Sequence, residues 1–308
     1  MKIRIGTRAS KLALWQAEHV ANLLQQGGAE VEIIPMDTLG DKILDVSISK
    51  IGSKGVFTEE IEQQLSAGTI DIGVHSAKDM PSQLPTGFKL IAFTKREEAN
   101  DVLLSFDKNV RLSTKPLLVG TSSNRRLSTL KRFYPHIATV AIRGNLQTRI
   151  AKMEAGHCQA LLLAYAGVHR MGYDQLIVQH LSTDEFTPAV GQGSIAIEIS
   201  DNIDAEKVAL IRQYVNHSDT EFCLLAERAF LRKLEGGCSI PAFALATLEG
   251  DQLTIKGGLI SLDGQNAVQE ILTGHKSGAV ALGTELGNLI LNNGGAPILK
   301  SIKESLHQ

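Results

Sequence analysis

The chain has 308 residues, enough for two or three domains with ample core, and its 43% hydrophobic and 21% charged residues are those of a soluble globular protein. A formal net charge of -2 excludes a dedicated nucleic-acid binder, which carries a strong basic excess. Cys158, Cys223 and Cys238 form no CxxC pair and no disulfide framework, which points to a reducing cytosol, and no Cys/His cluster stands at metal-ligand spacing.

Ile3 and Ile5 alternate as a first strand, in an opening that lacks the apolar core of a signal peptide. Ser10 is placed to cap a helix with Ala13, Ala17, Val20 and Leu24 on one face, and Val31 and Ile33 mark a second strand. Thr58 is placed to cap another helix, with Glu59 and Glu60 in its first turn and Gly68 at its end. The apolar run Ile70 to Val74 then reads as a buried strand. This is the βαβ rhythm of a parallel sheet covered by helices.

The rhythm restarts near residue 100. Leu117 to Gly120, Ile137 to Ile142 and Gln159 to Ala164 read as strands, with Ser122 or Ser123, and then Asn145, as helix caps. Two successive α/β units predict two doubly wound domains with ligand beyond the carboxyl ends of their strands. Thr187 to Gly193 has the composition of an interdomain hinge. The last third differs: a helix from about Asp219 to Leu234 is stopped by Gly236-Gly237, and Cys238 follows on the turn. Three strands around 242–248, 252–261 and 267–273, then a helix from about Gly278 to Asn292, predict a small α+β domain. No run is long and apolar enough to span a membrane.

Residues 101–190 hold eleven Lys/Arg against six Asp/Glu, in a chain that is acidic overall. Arg8, Arg125, Arg126, Arg143, Arg149 and Arg170 all fall at strand ends or on the helices that follow. Their planar donors, with the hydroxyls of Thr121, Ser122 and Ser123, suit several carboxylates or phosphates. Asp79 follows the strand ending at Val74, in His75-Ser76-Ala77-Lys78-Asp79-Met80-Pro81, where an ionised carboxylate serves to stabilise a cation or relay a proton. Lys50 and Lys54 lie among glycines, as in a lid or a plain surface loop. By themselves these residues also describe an anion-binding solute receptor, a regulator's effector domain or a phosphate-sugar enzyme. Taken alone, Cys238 reads first as a packed thiol, since free cysteines are among the most buried residue types.

Taken together the motifs resemble the porphobilinogen deaminase (hydroxymethylbilane synthase) family. The resembling stretches are Ile5-Gly6-Thr7-Arg8 with Ser10-Lys11-Leu12-Ala13, Val74 to Pro81, Gly120-Thr121-Ser122-Ser123, Arg143-Gly144-Asn145 with Thr148-Arg149, Pro188 to Gly193, and Glu235-Gly236-Gly237-Cys238. They run in order across nearly the whole chain. The resemblance implies two periplasmic-binding-protein-like α/β domains, 1–98 with about 194–215 and 99–193, plus an α+β cofactor-anchoring domain, 216–308. It implies a dipyrromethane cofactor joined to Cys238 by a thioether, and head-to-tail condensation of four porphobilinogens with loss of ammonia. Asp79 is then the catalytic residue. Lys78, Thr121, Ser123, Arg125, Arg126, Arg143 and Gly144 bind the cofactor, and Arg8, Ser10, Arg149, Arg170 and Gln192 the substrate. Lys50 and Lys54 form the lid. The expected protein is a cytoplasmic monomer acting on a small molecule, without metal, membrane or nucleic acid. Departures from the family pattern stand at Ala77, Asn124, Ser194-Ile195-Ala196 and Asn100.

Overall fold

The computed structural model describes residues 1–38, 58–237 and 239–306. The chain divides into two units, Met1–Glu97 with Gly193–Glu221, and Glu98–Gln192 with Phe222–Gln308.

In the first unit, β1 (Lys2–Arg8) lies between β2 (Glu30–Met36) and β3 (Ile72–Ser76), parallel to both. The helix Lys11–Gln26 starts as expected, with the Ala13 amide donating to the Ser10 hydroxyl, and buries Ala13, Ala17, Val20 and Leu24. The helix Glu59–Ser66 also begins where the acidic turn predicts, but Thr58 forms no cap bond. Its hydroxyl lies beside the Glu62 carboxyl instead.

The parallel rhythm gives an incomplete picture of the sheet, which continues from β2-β1-β3 to two further strands, β10 (Ile195–Ser200) and then β4 (Phe88–Phe93). β10 returns from far along the chain and pairs antiparallel with both β3 and β4. Its six residues are all buried, Glu198 included. The second unit repeats the device. β6 (Leu118–Gly120) is parallel to β7 (Ala138–Val140) and β8 (Ala160–Ala164), while β5 (Asp101–Leu104) is antiparallel to β8 and β9 (Ile177–His180). Both mixed sheets follow from long-range pairing, which local periodicity does not encode.

The second unit also holds an antiparallel sheet of β11 (Ala242–Glu249), β12 (Gln252–Ile260) and β13 (Ala267–His275). Phe230, Leu234, Leu253, Ile255, Leu286 and Ile290 form its dry core. Glu227, fully buried, accepts the Ala246 amide on one oxygen and the Gly191 amide on the other, each at 2.8 Å. The Ala244 amide donates to the Pro188 carbonyl, so the Pro188–Gln192 stretch is fastened to β11. Among the described residues no helix is long and apolar enough to cross a membrane.

Asp71, just before β3, accepts the Arg4 amide at 2.7 Å, the Arg4 guanidinium at 2.9 and 3.1 Å, and Lys207 at 2.8 Å. Burial alone raises its pKa, but these donors outweigh it and lower the group from 3.8 to about 2. A depressed carboxylate contributes stability above its unfolded pKa and loses it as pH falls through the folded one. The thermal midpoint is therefore expected to fall as pH drops from about 4 towards 2. Asp71→Asn should be less stable at neutral pH and show a shallower fall in acid. Parallel parent and variant curves would remove Asp71 as a cause.

Candidate active site

β1 and β3 are neighbours in the first unit, with Gly6 paired to Gly73, so their carboxyl ends lie side by side. That places Arg8 and Ser10, from the exit of β1, around one concave pocket with Ser76 and Asp79, from the exit of β3. Gln16, on the helix after β1, lines it too and donates to the Ser76 hydroxyl at 2.9 Å. Asp79 ends a single 3-10 turn, Ala77–Asp79. The turn is pinned on both sides. The Ala77 amide donates to the Ser194 carbonyl at 3.0 Å, and Met80 is buried with extended backbone ahead of Pro81. Asp79 and Lys78 are half-buried on this turn. Ala77 and Ser194, both departures from the family pattern, thus share the hydrogen bond that seats the turn.

In the second unit the carboxyl ends of β6, β7 and β8 carry the other predicted residues. Thr121 is buried, its amide donating to Val140 and its hydroxyl accepting the Ser123 amide at 3.4 Å. The Ser122 hydroxyl donates to the Ile142 carbonyl, and Ser123 sits at the start of the helix Asn124–Phe133 without a side-chain cap bond. Asn145 does cap the helix Leu146–Glu154, accepting the Thr148 amide at 2.9 Å. Gly144 has φ +112°, and a Cβ there would meet Thr148 Cγ2 at 2.7 Å, so this turn requires glycine. Its carbonyl accepts Arg149 Nε at 2.7 Å. Arg143, Arg149 and Arg170 are all partly exposed.

Arg125 and Arg126 differ from them. Both are buried and converge on Asp101, the first residue of β5, at 2.7 and 2.8 Å. Their other ends donate to the carbonyls of Thr187 and Leu162. Gln192 donates to Asp101 as well, at 2.9 Å, and to the Ala99 carbonyl. Burial pushes Asp101 up, but the two guanidinium charges outweigh it and hold the carboxyl far below its ordinary range. Burial likewise lowers Arg125, against the attraction of Asp101. Sequence reasoning found the arginines at the right edge of the sheet and missed Asp101, whose antiparallel pairing sets it opposite Ala164 at the end of β8. The one available signal was a carboxylate opening an apolar strand.

Two guanidinium charges on one carboxylate leave a buried excess of positive charge, and Nε of both arginines lacks a hydrogen-bond partner. A donor set with this imbalance fits a polycarboxylate such as dipyrromethane.

The helix Ser218–Lys233 ends before the glycines that were expected to stop it. Glu235 takes the left-handed conformation, φ +49°, and the Gly236 amide donates back to the Leu231 carbonyl. The Glu235 carboxylate meets Lys303 at 2.6 Å. Cys238 lies outside the described residues, as do Lys50 and Lys54. Next to Cys238, the Ser239 carbonyl accepts Asn124 Nδ2 at 2.8 Å. Asn124, a departure from the family pattern, therefore ties Ser239 to the helix that carries Arg125 and Arg126. Cys158 and Cys223 are buried free thiols, and burial raises the Cys158 thiol further from its reactive form.

Residues 3–208 match the family model described as porphobilinogen deaminase, dipyromethane cofactor binding domain. Residues 221–292 match that of the porphobilinogen deaminase C-terminal domain. The chain belongs to the porphobilinogen deaminase family. It is 58% identical over 306 residues to the porphobilinogen deaminase of Desulfosudis oleivorans, covering 99% of each chain. It is 55% identical over 305 residues to that of Cytophaga hutchinsonii, covering 99% of this chain and 98% of the relative. With that of Syntrophomonas wolfei it shares 46% over 301 residues, 96% and 97% of the two chains. The family's match thus runs through both units, and takes in the Asp79 pocket and the arginine-bearing strand ends alike.

Proposed function

We propose that Asp79 is the reacting carboxylate of a hydroxymethylbilane synthase, that Cys238 anchors its dipyrromethane cofactor, and that the arginines at the strand ends hold pyrrole carboxylates. The reaction is that of the family, a transferase of tetrapyrrole and haem synthesis. Four porphobilinogens are joined head to tail, each losing ammonia, and linear hydroxymethylbilane is released. When bound, dipyrromethane supplies the primer whose free ring end accepts the first porphobilinogen.

The observation that carries this reading is the Asp79 turn, rigidly seated at the carboxyl end of β3 in one pocket with Arg8 and Ser10. Arg8 and Ser10 orient a substrate carboxylate there. Loss of ammonia from porphobilinogen leaves a delocalised cation, and a fixed carboxylate stabilises it without reorganising. Asp79 also takes the proton that the acceptor carbon gives up on bond formation. In the second unit, Arg143, Arg149 and Arg170 with the hydroxyls of Thr121 and Ser123 meet carboxylates directly. Lys78 does so in the first unit. Arg125, Arg126 and Gln192 are engaged with Asp101 and contribute through the charge excess and the two unpaired Nε–H groups. Three separate sheets support reading 1–98 with 194–215, 99–193 and 216–308 as three domains, the last anchoring the cofactor. A net charge of -2 and two buried free thiols support a cytoplasmic protein that takes a small molecule rather than nucleic acid, and we read it as a monomer.

Intact-mass spectrometry of protein purified under reducing conditions tests the anchor. The expected result is an adduct of dipyrrole mass that survives thiol reductants and maps to Cys238. Incubation with porphobilinogen and mild oxidation tests the reaction, and absence of uroporphyrin absorbance would sink it. Turnover without any adduct on Cys238 would remove the anchor alone.

A further inference from the structure

Against the Asp79 pocket the first unit holds a buried acidic cluster that the reaction as described leaves unused. Glu198 stands in the middle of β10 between buried Ile197 and Ile199, itself 0% exposed. Antiparallel pairing sets it opposite Gly73 on β3. His75 is two residues further along β3, on the same face as Gly73. A Cβ on Gly73 would meet His75 Nε2 at 2.7 Å. Its absence lets the imidazole lie back along the strand, with Nε2 3.0 Å from Glu198 Oε2. Glu62, on the helix Glu59–Ser66, is buried beside them and feels the charges of both Glu198 and His75.

These groups are poorly satisfied as ions. His75 Nε2, both Glu198 oxygens, Glu62 Oε1 and the Thr58 hydroxyl are buried without a hydrogen bond of ordinary geometry. Among the described residues no Lys or Arg pairs with Glu62 or Glu198, and no metal-holding group of His, Cys, Asp or Glu is present. Two buried carboxylates beside one imidazole are more cheaply neutralised by a proton than left charged. Burial, and then the charge on Glu198, raise the Glu62 pKa, with Thr58 and His75 acting against them. The cluster is not sealed off, because His75 and Thr58 also line the pocket that contains Asp79.

We propose that Glu62, His75 and Glu198 hold a proton between them as a shared store that opens onto the Asp79 pocket through His75. This rests on Asp79 being the reacting carboxylate. The titratable and charged groups that share the cluster or its pocket with His75 are Glu198 from β10, Glu62 with Glu59 from the helix, Arg8 from β1 and Asp79 beyond β3. Each turn of the reaction breaks the C–N bond of porphobilinogen, releases ammonia, forms a C–C bond and frees a proton from the acceptor carbon. That proton balances the one that makes ammonium from ammonia, so the store is filled and emptied once per turn with no net consumption. In this role the three residues act through Asp79, as positioning residues for its proton.

Infrared spectroscopy of the resting holoenzyme is the first test. At neutral pH the parent should show the carbonyl band of a protonated carboxylic acid, shifted in heavy water and lost in Glu62→Gln. A parent without that band, or Glu62→Gln retaining it, overturns the proposal, and neither result depends on any variant being active. The second test is kcat against pH with porphobilinogen. Glu62→Gln and Glu198→Gln should each move a limb of the profile by about half a pH unit or more, with KM within about twofold of the parent. Profiles superimposable on the parent's in both variants also overturn it. Asp79→Asn should lower kcat by about two to four orders of magnitude and leave the infrared band in place. An Asp79→Asn variant with a kcat within a few fold of the parent's would defeat the reading of Asp79 without touching that of Glu62.

Discussion

Asp79→Asn is expected to lower kcat by about two to four orders of magnitude while the fold, the cofactor content and the KM for porphobilinogen stay near those of the parent. The reasoning is geometric. Asparagine has nearly the shape of aspartate, and the turn is held by groups other than the carboxylate: the Ala77 amide on the Ser194 carbonyl, Gln16 on Ser76, and the buried Met80 side chain. What the substitution removes is a negative charge aimed into the pocket and an acceptor for a proton. A group that acts on the transition state and not on the bound substrate changes kcat and kcat/KM together. Single-turnover measurements on mass-verified holoenzyme check this. A kcat within a few fold of the parent's would take Asp79 out of the mechanism.

Asp101→Asn should be the most damaging single change in the second unit. Asp101 is fully buried, and its two oxygens are shared by Arg125, Arg126 and Gln192. An amide cannot neutralise either guanidinium, so two buried cations are left facing each other. Breaking a buried ion pair from one side costs about 3–5 kcal/mol, or roughly 10 °C in thermal midpoint for a unit of this size. The sign with pH is settled by direction. The folded carboxyl titrates below its unfolded value, so its contribution is present at neutral pH and lost only in strong acid. The difference between parent and variant should therefore be large at pH 7 and shrink as acid protonates the parent. Multivalent anions should restore stability to the variant more than they add to the parent. A variant melting within about 2 °C of the parent at neutral pH would show that the arginines do not need Asp101.

Much of the fold was legible because local signals agreed with the final structure. The Ser10 and Asn145 caps, the apolar faces, the three strands of the last third and the placement of arginines beyond strand ends all act over a few residues. The misses share one cause. The antiparallel strands β5 and β10, the Asp101 clasp, the Glu227 brace and the Glu198 cluster depend on residues brought together across a sheet or from far along the chain. Glu198 illustrates it. Nothing local in the run Ile195-Ala196-Ile197-Glu198-Ile199-Ser200 marks it as part of a cluster, and the insertion of β10 between β3 and β4 buries it. Likewise Arg125 and Arg126 read as two arginines beyond a strand end, and only β5 brings the buried carboxylate of Asp101 against them.

By itself the sequence determined the family, through six motifs that resemble it in order, and with the family the reaction. The α/β and α+β classes of the segments were legible because caps, turns and apolar periodicity act over a few residues. The tertiary structure decided which of the candidate site residues face a pocket and which are spent on one another. Burial and charge pairing depend on the environment a side chain enters, and that environment is assembled from distant strands.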